Sequence, residues 1–266
     1  KGVIENKSTR VKIVKITRNN NINDIHVLSN EDIINISDDK SLKYSDILNG
    51  LFYKKVILCE DESDCKFYSK VLENIDGNAY QNTMFCSVAG KDQFKIIIPL
   101  LIKLGINYSV IADIDLINDK SKLKQLLDSI KKGVYDEIKT DYSTFLTKFE
   151  EGINSQVKKQ VDIKEEIEKC FTDDPYLPEE SQKRIRRIIK NINSLSILKS
   201  GGRSIIPQGE CICAFDNVLN KLSEVNIYVL DCGEIERLVP QVDMHGSAWV
   251  EQVFKRYPDL SDNVYN

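Results

Sequence analysis

The stretch Lys55-Val56-Ile57-Leu58-Cys59-Glu60-Asp61-Glu62-Ser63-Asp64 decides the fold, because five β-prone residues run directly into a cluster of acids. A helical pattern follows: Phe67, Tyr68, Val71 and Leu72 recur at helical spacing, Ser63 and Asp64 are expected to cap it, and Asp76-Gly77 ends it. Residues 83–88 read as a second strand and Gly90 as a turn. Residues 93–104 read as a helix closed by Gly105, with a kink expected at Pro99. Residues 108–112 are a third strand ending at Asp113. Strand, helix, strand, helix, strand within about sixty residues, joined this briefly, predicts an α/β fold: a parallel sheet flanked by helices.

Upstream, the chain begins at Lys1 without a Met and reads like the middle of something larger. Residues 11–17 alternate as a strand, 19–23 form a polar turn, 25–28 a short strand, and Ser29 ahead of Glu31 and Asp32 caps a short helix. Residues 41–51 read as a second helix. We therefore take 1–52 as an N-terminal segment that belongs to, or packs on, a neighbour. Residues 53–120 are the first part of the core and 121–196 a charged helical insertion with an extended break at 173–178. Residues 197–266 complete the core: a Gly- and Pro-rich stretch at 200–209, a helix at 211–223, a fourth strand at 225–230 leading into Gly233-Glu234-Ile235-Glu236, and a last helix that buries Trp249.

Composition narrows the chemistry. Of 266 residues, 41% are hydrophobic and 29% charged, the balance of a folded globular chain with ample material for a core. No apolar run is long enough to span a membrane; the best, near residues 94–104, is broken by Lys95, Pro99 and Lys103. With 37 basic against 41 acidic residues the net charge is −4, so a nucleic-acid contact needs a local basic patch or cations that screen the acids. Seven cysteines follow no paired framework and no secretory signal precedes them, so a cytoplasmic location is expected. Two histidines and no C-x-x-C pair exclude a His-rich or thiolate zinc site; a metal here would be carboxylate-bound, hence Mg2+ or Mn2+. Cys211 and Cys213 read as packing residues.

Ligands of open parallel sheets bind at the carboxyl ends of the strands. Glu60 ends the first core strand, Asp64 sits one helical turn later, Asp113 and Asp115 follow the third strand, and Glu234 and Glu236 follow the fourth. Any one acid in such a place is ordinary, since Asp and Glu favour helix N-termini. Three sets meeting at one sheet edge repel one another unless divalent cations neutralise them. Asp113-Ile114-Asp115 is expected to place two carboxylates on one side of an extended segment.

These residues resemble the TOPRIM domain, shared by topoisomerases, primases and the OLD family of ATP-coupled nucleases. The resemblance rests on Val56 to Glu60, Asp64, and Ile111-Ala112-Asp113-Ile114-Asp115, with Gly90-Lys91 and Gly233 to Glu236 in support. It covers about residues 53–120 and 197–256. It implies a divalent-metal-dependent DNA endonuclease or nickase, with Glu60, Asp64, Asp113, Asp115 and Glu236 as metal ligands and Glu60, Asp113 and a lysine as catalytic groups. Lys199, beside the Gly201-Gly202 turn, is the preferred lysine, ahead of Lys255 and Lys91, and Arg203 is a candidate phosphate contact. It further implies DNA and an ATPase domain or subunit as partners, a homo-oligomer as one possible assembly, and a role in phage defence. The chain departs from the pattern at Asp61, where most such sequences have Gly, and no G-x-x-x-x-G-K-[ST] occurs in it. That departure leaves open a non-catalytic module that binds nucleic acid or an ATPase. A phosphatase of the DxD type fits less well, because its nucleophilic Asp would have to end the first core strand, where Glu60 stands. The basic run Lys183, Arg184, Arg186, Arg187 and Lys190 reads either as a nucleic-acid contact or as a solvated face balanced by Glu179 and Glu180.

Overall fold

The computed structural model of the chain describes residues 12–38, 46–153, 160–172, 175–190 and 194–265. Four strands, β3 (Lys55–Cys59), β4 (Thr83–Ser87), β5 (Asn107–Ala112) and β6 (Ile227–Val229), form one sheet in the order β4-β3-β5-β6. Every neighbouring pair is parallel, so all four carboxyl ends lie on one edge. Alternation along the strands divides the side chains between two faces. Val56, Leu58, Tyr108, Val110, Ala112 and Ile227 point into the main core, beneath helices α4 (Phe94–Lys103), α5 (Lys120–Ile130), α6 (Val134–Ile153) and α10 (Glu210–Glu224). Phe145, Phe149 and Phe215 pack ring to ring between α6 and α10. The buried Tyr142 hydroxyl donates to the Ile117 carbonyl at 2.7 Å, which ties α6 to the segment after β5.

The opposite face carries Ile57, Ser109, Ile111 and Tyr228. Helix α2 (Glu62–Ile75) covers β3 and β4 there and packs on α11 (Gly246–Arg256), enclosing a smaller core of Phe67, Ile235, Val239, Trp249, Val253 and Tyr265. The cap of α2 is Asp61 rather than Ser63 or Asp64. Its carboxylate accepts from the Ser63 and Asp64 amides, and Asp64 accepts from the Asp61 amide at 3.2 Å, so a reciprocal capping box satisfies the first free N–H groups of the helix. Asp61 has an extended backbone with φ −136°, a conformation open to any residue. Aspartate in place of glycine therefore costs no backbone strain.

The 121–196 region is mostly helical where it is described, in α5, α6, α7 (Gln160–Glu168), α8 (Glu179–Lys190) and the start of α9 (Ser194–Gly201), with non-helical connections at 131–133, 169–172 and, within the expected break, 175–178. Two residues of the expected 173–178 break lie outside the described set. In α8, Lys183 pairs with Glu179 at 3.1 Å and Glu180 at 3.3 Å, as a solvated, charge-balanced face would. Cys211 is buried, but Cys213 is exposed and does not pack as expected. No helix among the described residues is long and apolar enough to cross a membrane.

At the N-terminus, β1 (Ile13–Asn19) and β2 (Ile22–Leu28) pair antiparallel around a two-residue turn at Asn20 and Asn21, tighter than the expected 19–23 turn. Asn20 takes φ 54°, a left-handed conformation that asparagine accepts better than most residues. Helix α1 (Asn30–Asp38) starts at Ser29, whose amide and hydroxyl both donate to Asp32. The expected helix at 41–51 is instead a 3-10 helix, Ile47–Phe52, and residues 39–45 lie outside the described set. Leu28, Ile33, Ile36 and Ile47 join the same apolar core as the sheet. Lys15 donates to the Gly105 carbonyl at 3.1 Å, and Lys103 pairs with Asp32 at 2.5 Å. The outer face of the hairpin has no such cover: Val14, Ile16, Ile25 and Val27 are 53%, 63%, 63% and 42% exposed and sit in cross-strand pairs.

Candidate metal centre

Parallel pairing brings the segments after β3, β5 and β6 together, and backbone hydrogen bonds hold them. The Gly90 amide donates to the Glu60 carbonyl, the Leu230 amide to Ala112 and the Ile114 amide to Gly233. Asp113 and Asp115 do not lie along one extended strand. Asp113 is the extended N-cap of a 3-10 helix, Ile114–Ile117, and Asp115 lies in its first turn. Both nevertheless face one lysine. Lys199 Nζ is 2.8 Å from Asp113 Oδ2 and 3.5 Å from Asp115 Oδ2, while Lys91 Nζ approaches Asp115 Oδ2 from the β4 side at 2.8 Å.

Lys199 is held from behind by close backbone approach. A Cβ on Gly233, where φ is +114°, would fall 2.2 Å from the Lys199 carbonyl oxygen, and one on Gly202 would fall 2.3 Å from the Cys232 carbonyl oxygen. Both positions lie in the region that favours glycine. Gly233→Ala is thus expected to cost about 3 kcal/mol in denaturant unfolding, combining backbone strain with a clash that only a backbone shift relieves.

The electrostatics are those of crowded acids. Burial, then the Asp115 and Asp113 carboxylates, push Glu60 up to about 7, against the opposing pull of Lys91 and Lys199. Asp64 is also pushed up to about 7, by burial and then by Asp61. Asp113 is raised by burial, which its hydrogen bond to Lys199 opposes. For Lys199 burial acts against the charge, but Asp113 and Asp115 outweigh it and raise the ammonium. Glu60 Oε1 and Asp115 Oδ1 are buried without a hydrogen-bond partner among the described residues. Buried, partnerless carboxylate oxygens beside further carboxylates are the donor set a hard divalent cation takes.

Glu236 arrives from a 3-10 helix, Ile235–Leu238, after β6. Its Oε1 accepts from the Gly246 amide at 3.0 Å and lies 3.4 Å from His245 Nδ1. Ligand atoms of Glu234, Glu236 and His245 all lie within 4.8 Å of one another. Glu236 also acts electrostatically on Asp64 and Asp113, so this trio borders the Glu60 and Asp113 group. Two histidines distant in sequence carry no spacing signal, and only the fold brings one beside Glu236. Of the other candidates, Lys255 occupies the last turn of α11 and, among the described residues, makes no contact with these acids. Arg203 is engaged by Asp216 through both carboxylate oxygens rather than left free for a phosphate.

Comparison with known proteins finds two kinds of likeness. Residues 51–115 match the family described as overcoming lysogenization defect protein-like, TOPRIM domain. Among solved structures, the C-terminal region of the Xanthomonas campestris pv. campestris OLD protein is 20% identical, with 65% of this chain and 98% of that one covered and a TM-score of 0.28. The C-terminal region of the Burkholderia pseudomallei OLD protein is 19% identical, with 64% and 99% covered and a TM-score of 0.27. No curated relative matches. The family match spans β3, Glu60, Asp64, β5, Asp113 and Asp115, the elements that build the acidic edge. Over residues 51–115, then, this chain is similar to the OLD-like TOPRIM domain.

Proposed function

We propose that the chain is the cutting module of a divalent-metal-dependent DNA nuclease, an endonuclease or nickase of the OLD type. The observation that carries the reading is the meeting of Glu60, Asp113 and Asp115 around Lys199, with two buried carboxylate oxygens left unpartnered. Glu60, Asp64, Asp113, Asp115 and Glu236 would hold Mg2+ or Mn2+, with Glu234 and His245 bordering the same group. When bound, such an ion supplies charge neutralisation at a phosphoryl group and acidifies water. Glu60, which burial and the neighbouring acids push up to about 7, would hold the cation in its ionised form and would orient the attacking water. Asp113 fixes the Lys199 ammonium toward the cut, where its charge opposes the negative charge that develops on the phosphoryl and leaving oxygens.

Incubation of the purified chain with supercoiled plasmid tests this. Nicked or linear product with Mg2+ or Mn2+, and none with EDTA, is expected. Intact plasmid under all three conditions would overturn the reading in favour of a non-catalytic binding module. The Asp61 argument for such a module loses force because Asp61 caps α2 in an extended conformation.

The partners proposed with this activity are DNA and an ATPase domain or subunit, in a cytoplasmic phage-defence setting. The outer face of the hairpin supports the second partner. Lys12 and Arg18 share the side of Val14 and Ile16, and an exposed apolar face with basic ends suits a neighbour whose apolar surface is edged by acids. Ile16→Lys is expected to leave the melting temperature of the isolated chain within about 0.5 kcal/mol equivalent, and to abolish co-elution with the ATPase unit in size-exclusion chromatography. Unchanged co-elution would exclude this face.

A further inference from the structure

On the side of the sheet opposite the main core, α2 covers β3 and β4 but a cleft of about 340 Å³ opens beyond it over β5 and β6. Its floor is Ile57, Ser109 and Ile111, its rims are Tyr68 and Tyr228, and Lys55 lies at one end. Two polar atoms here have no hydrogen-bond partner among the described residues: Ser109 Oγ, on a residue only 4% exposed, and the buried Tyr68 hydroxyl. A serine in a buried strand position at the base of an apolar cleft is costly unless something pairs with it. Tyr228 leaves 46% of its surface exposed on the opposite rim. The cleft adjoins the acidic edge, because Tyr68 follows Asp64 by four residues and shares its face of α2. The phenol also feels the Asp64 and Asp113 carboxylates.

We propose that this cleft is a nucleobase site, in which a base stacks against Tyr228 over the apolar floor and pairs its edge with the hydroxyls of Ser109 and Tyr68. A base is a flat heteroaromatic ring with donors and acceptors at its rim, and the cleft offers apolar walls, an aromatic ring and two unpaired hydroxyls. The source of the base rests on the nuclease reading: a strand whose phosphate lies at the acidic edge would have an adjacent base within reach of Tyr68. Recognition in the cleft needs no metal and no cleavage.

Calorimetric titration of the chain with deoxyadenosine and with thymidine, in EDTA, tests the proposal. Saturable binding of at least one nucleoside is expected, weakened about tenfold or more by Tyr228→Ala and about fivefold by Ser109→Ala or Tyr68→Phe. Tyr68→Phe and Ser109→Ala each remove a single hydroxyl, so they remain informative if Tyr228→Ala unfolds the chain. The proposal is overturned by absence of nucleoside binding, by binding that none of the variants alters, or by binding of deoxyadenosine monophosphate without binding of deoxyadenosine. Nucleoside binding by a chain that leaves plasmid intact would remove the nuclease reading alone. Metal-dependent cleavage without nucleoside binding would remove only the base site.

Discussion

Glu60→Gln and Asp113→Asn are each expected to lower metal-dependent plasmid cleavage by about 10³-fold, equivalent to about 4 kcal/mol of lost transition-state stabilisation. The same changes should raise the melting temperature of the metal-free chain. The cause is burial, and after it the crowding of neighbouring carboxylates, which together lift Glu60 and Asp64 to about 7. A carboxyl group with a raised folded-state pKa favours the folded chain when protonated. That contribution is complete below the unfolded-state value near 4.5 and is lost as the pH rises through about 7. For Glu60 the displacement corresponds to about 3 kcal/mol. Metal-free chain should therefore melt at progressively lower temperature from pH 4.5 to above 7, and Mg2+ or Mn2+ should restore stability at the upper end. Glu60→Gln keeps the shape, removes the charge, and should flatten both the pH dependence and the metal-induced rise. Scanning calorimetry with and without EDTA measures all of this. A variant that cleaves normally would remove its residue from the metal site.

Lys199→Met is expected to reduce cleavage by about 10²- to 10³-fold, in the range found when one positioned donor to a developing oxyanion is lost. Its effect on stability should have the opposite sign to that of Glu60→Gln. Lys199 is the ammonium nearest Asp113 and also reaches Asp115, and both acids are largely withdrawn from solvent. Without it their mutual repulsion, and that with Glu60, is less well opposed, so the metal-free variant should melt below the parent at neutral pH and recover at acid pH. Lys255→Met serves as the control, because Lys255 sits at the far end of α11. Lys255→Met should leave both cleavage and the melting profile unchanged. Equal losses from the two variants would move the catalytic lysine away from Lys199.

The α/β rhythm was legible in the order of residues because its signals are local. β-Prone runs at 55–59, 83–88 and 108–112, helical spacing through Phe67, Tyr68, Val71 and Leu72, and Gly105 after α4 all act within a few residues of themselves. The acids at the strand ends were legible for the same reason, since a parallel sheet places every carboxyl end on one edge. The cap of α2 was misassigned by two or three residues, because Asp61, Ser63 and Asp64 are all good capping residues and only the path of the chain out of β3 selects Asp61. The turn conformation at Asp113 was missed because Ile114 binds the Gly233 carbonyl, more than a hundred residues away.

What the sequence determined by itself was thus the strands of the sheet, its main flanking helices and the acidic character of the strand ends. Which lysine meets Asp113, how His245 comes beside Glu236, how the N-terminal hairpin docks on α4 through Lys15 and Gly105, and where the sheet is left open beside Tyr228 were decided only by the tertiary structure. Each of these depends on contacts between residues far apart along the chain, and such contacts exist only once the core has closed and set the distances between them.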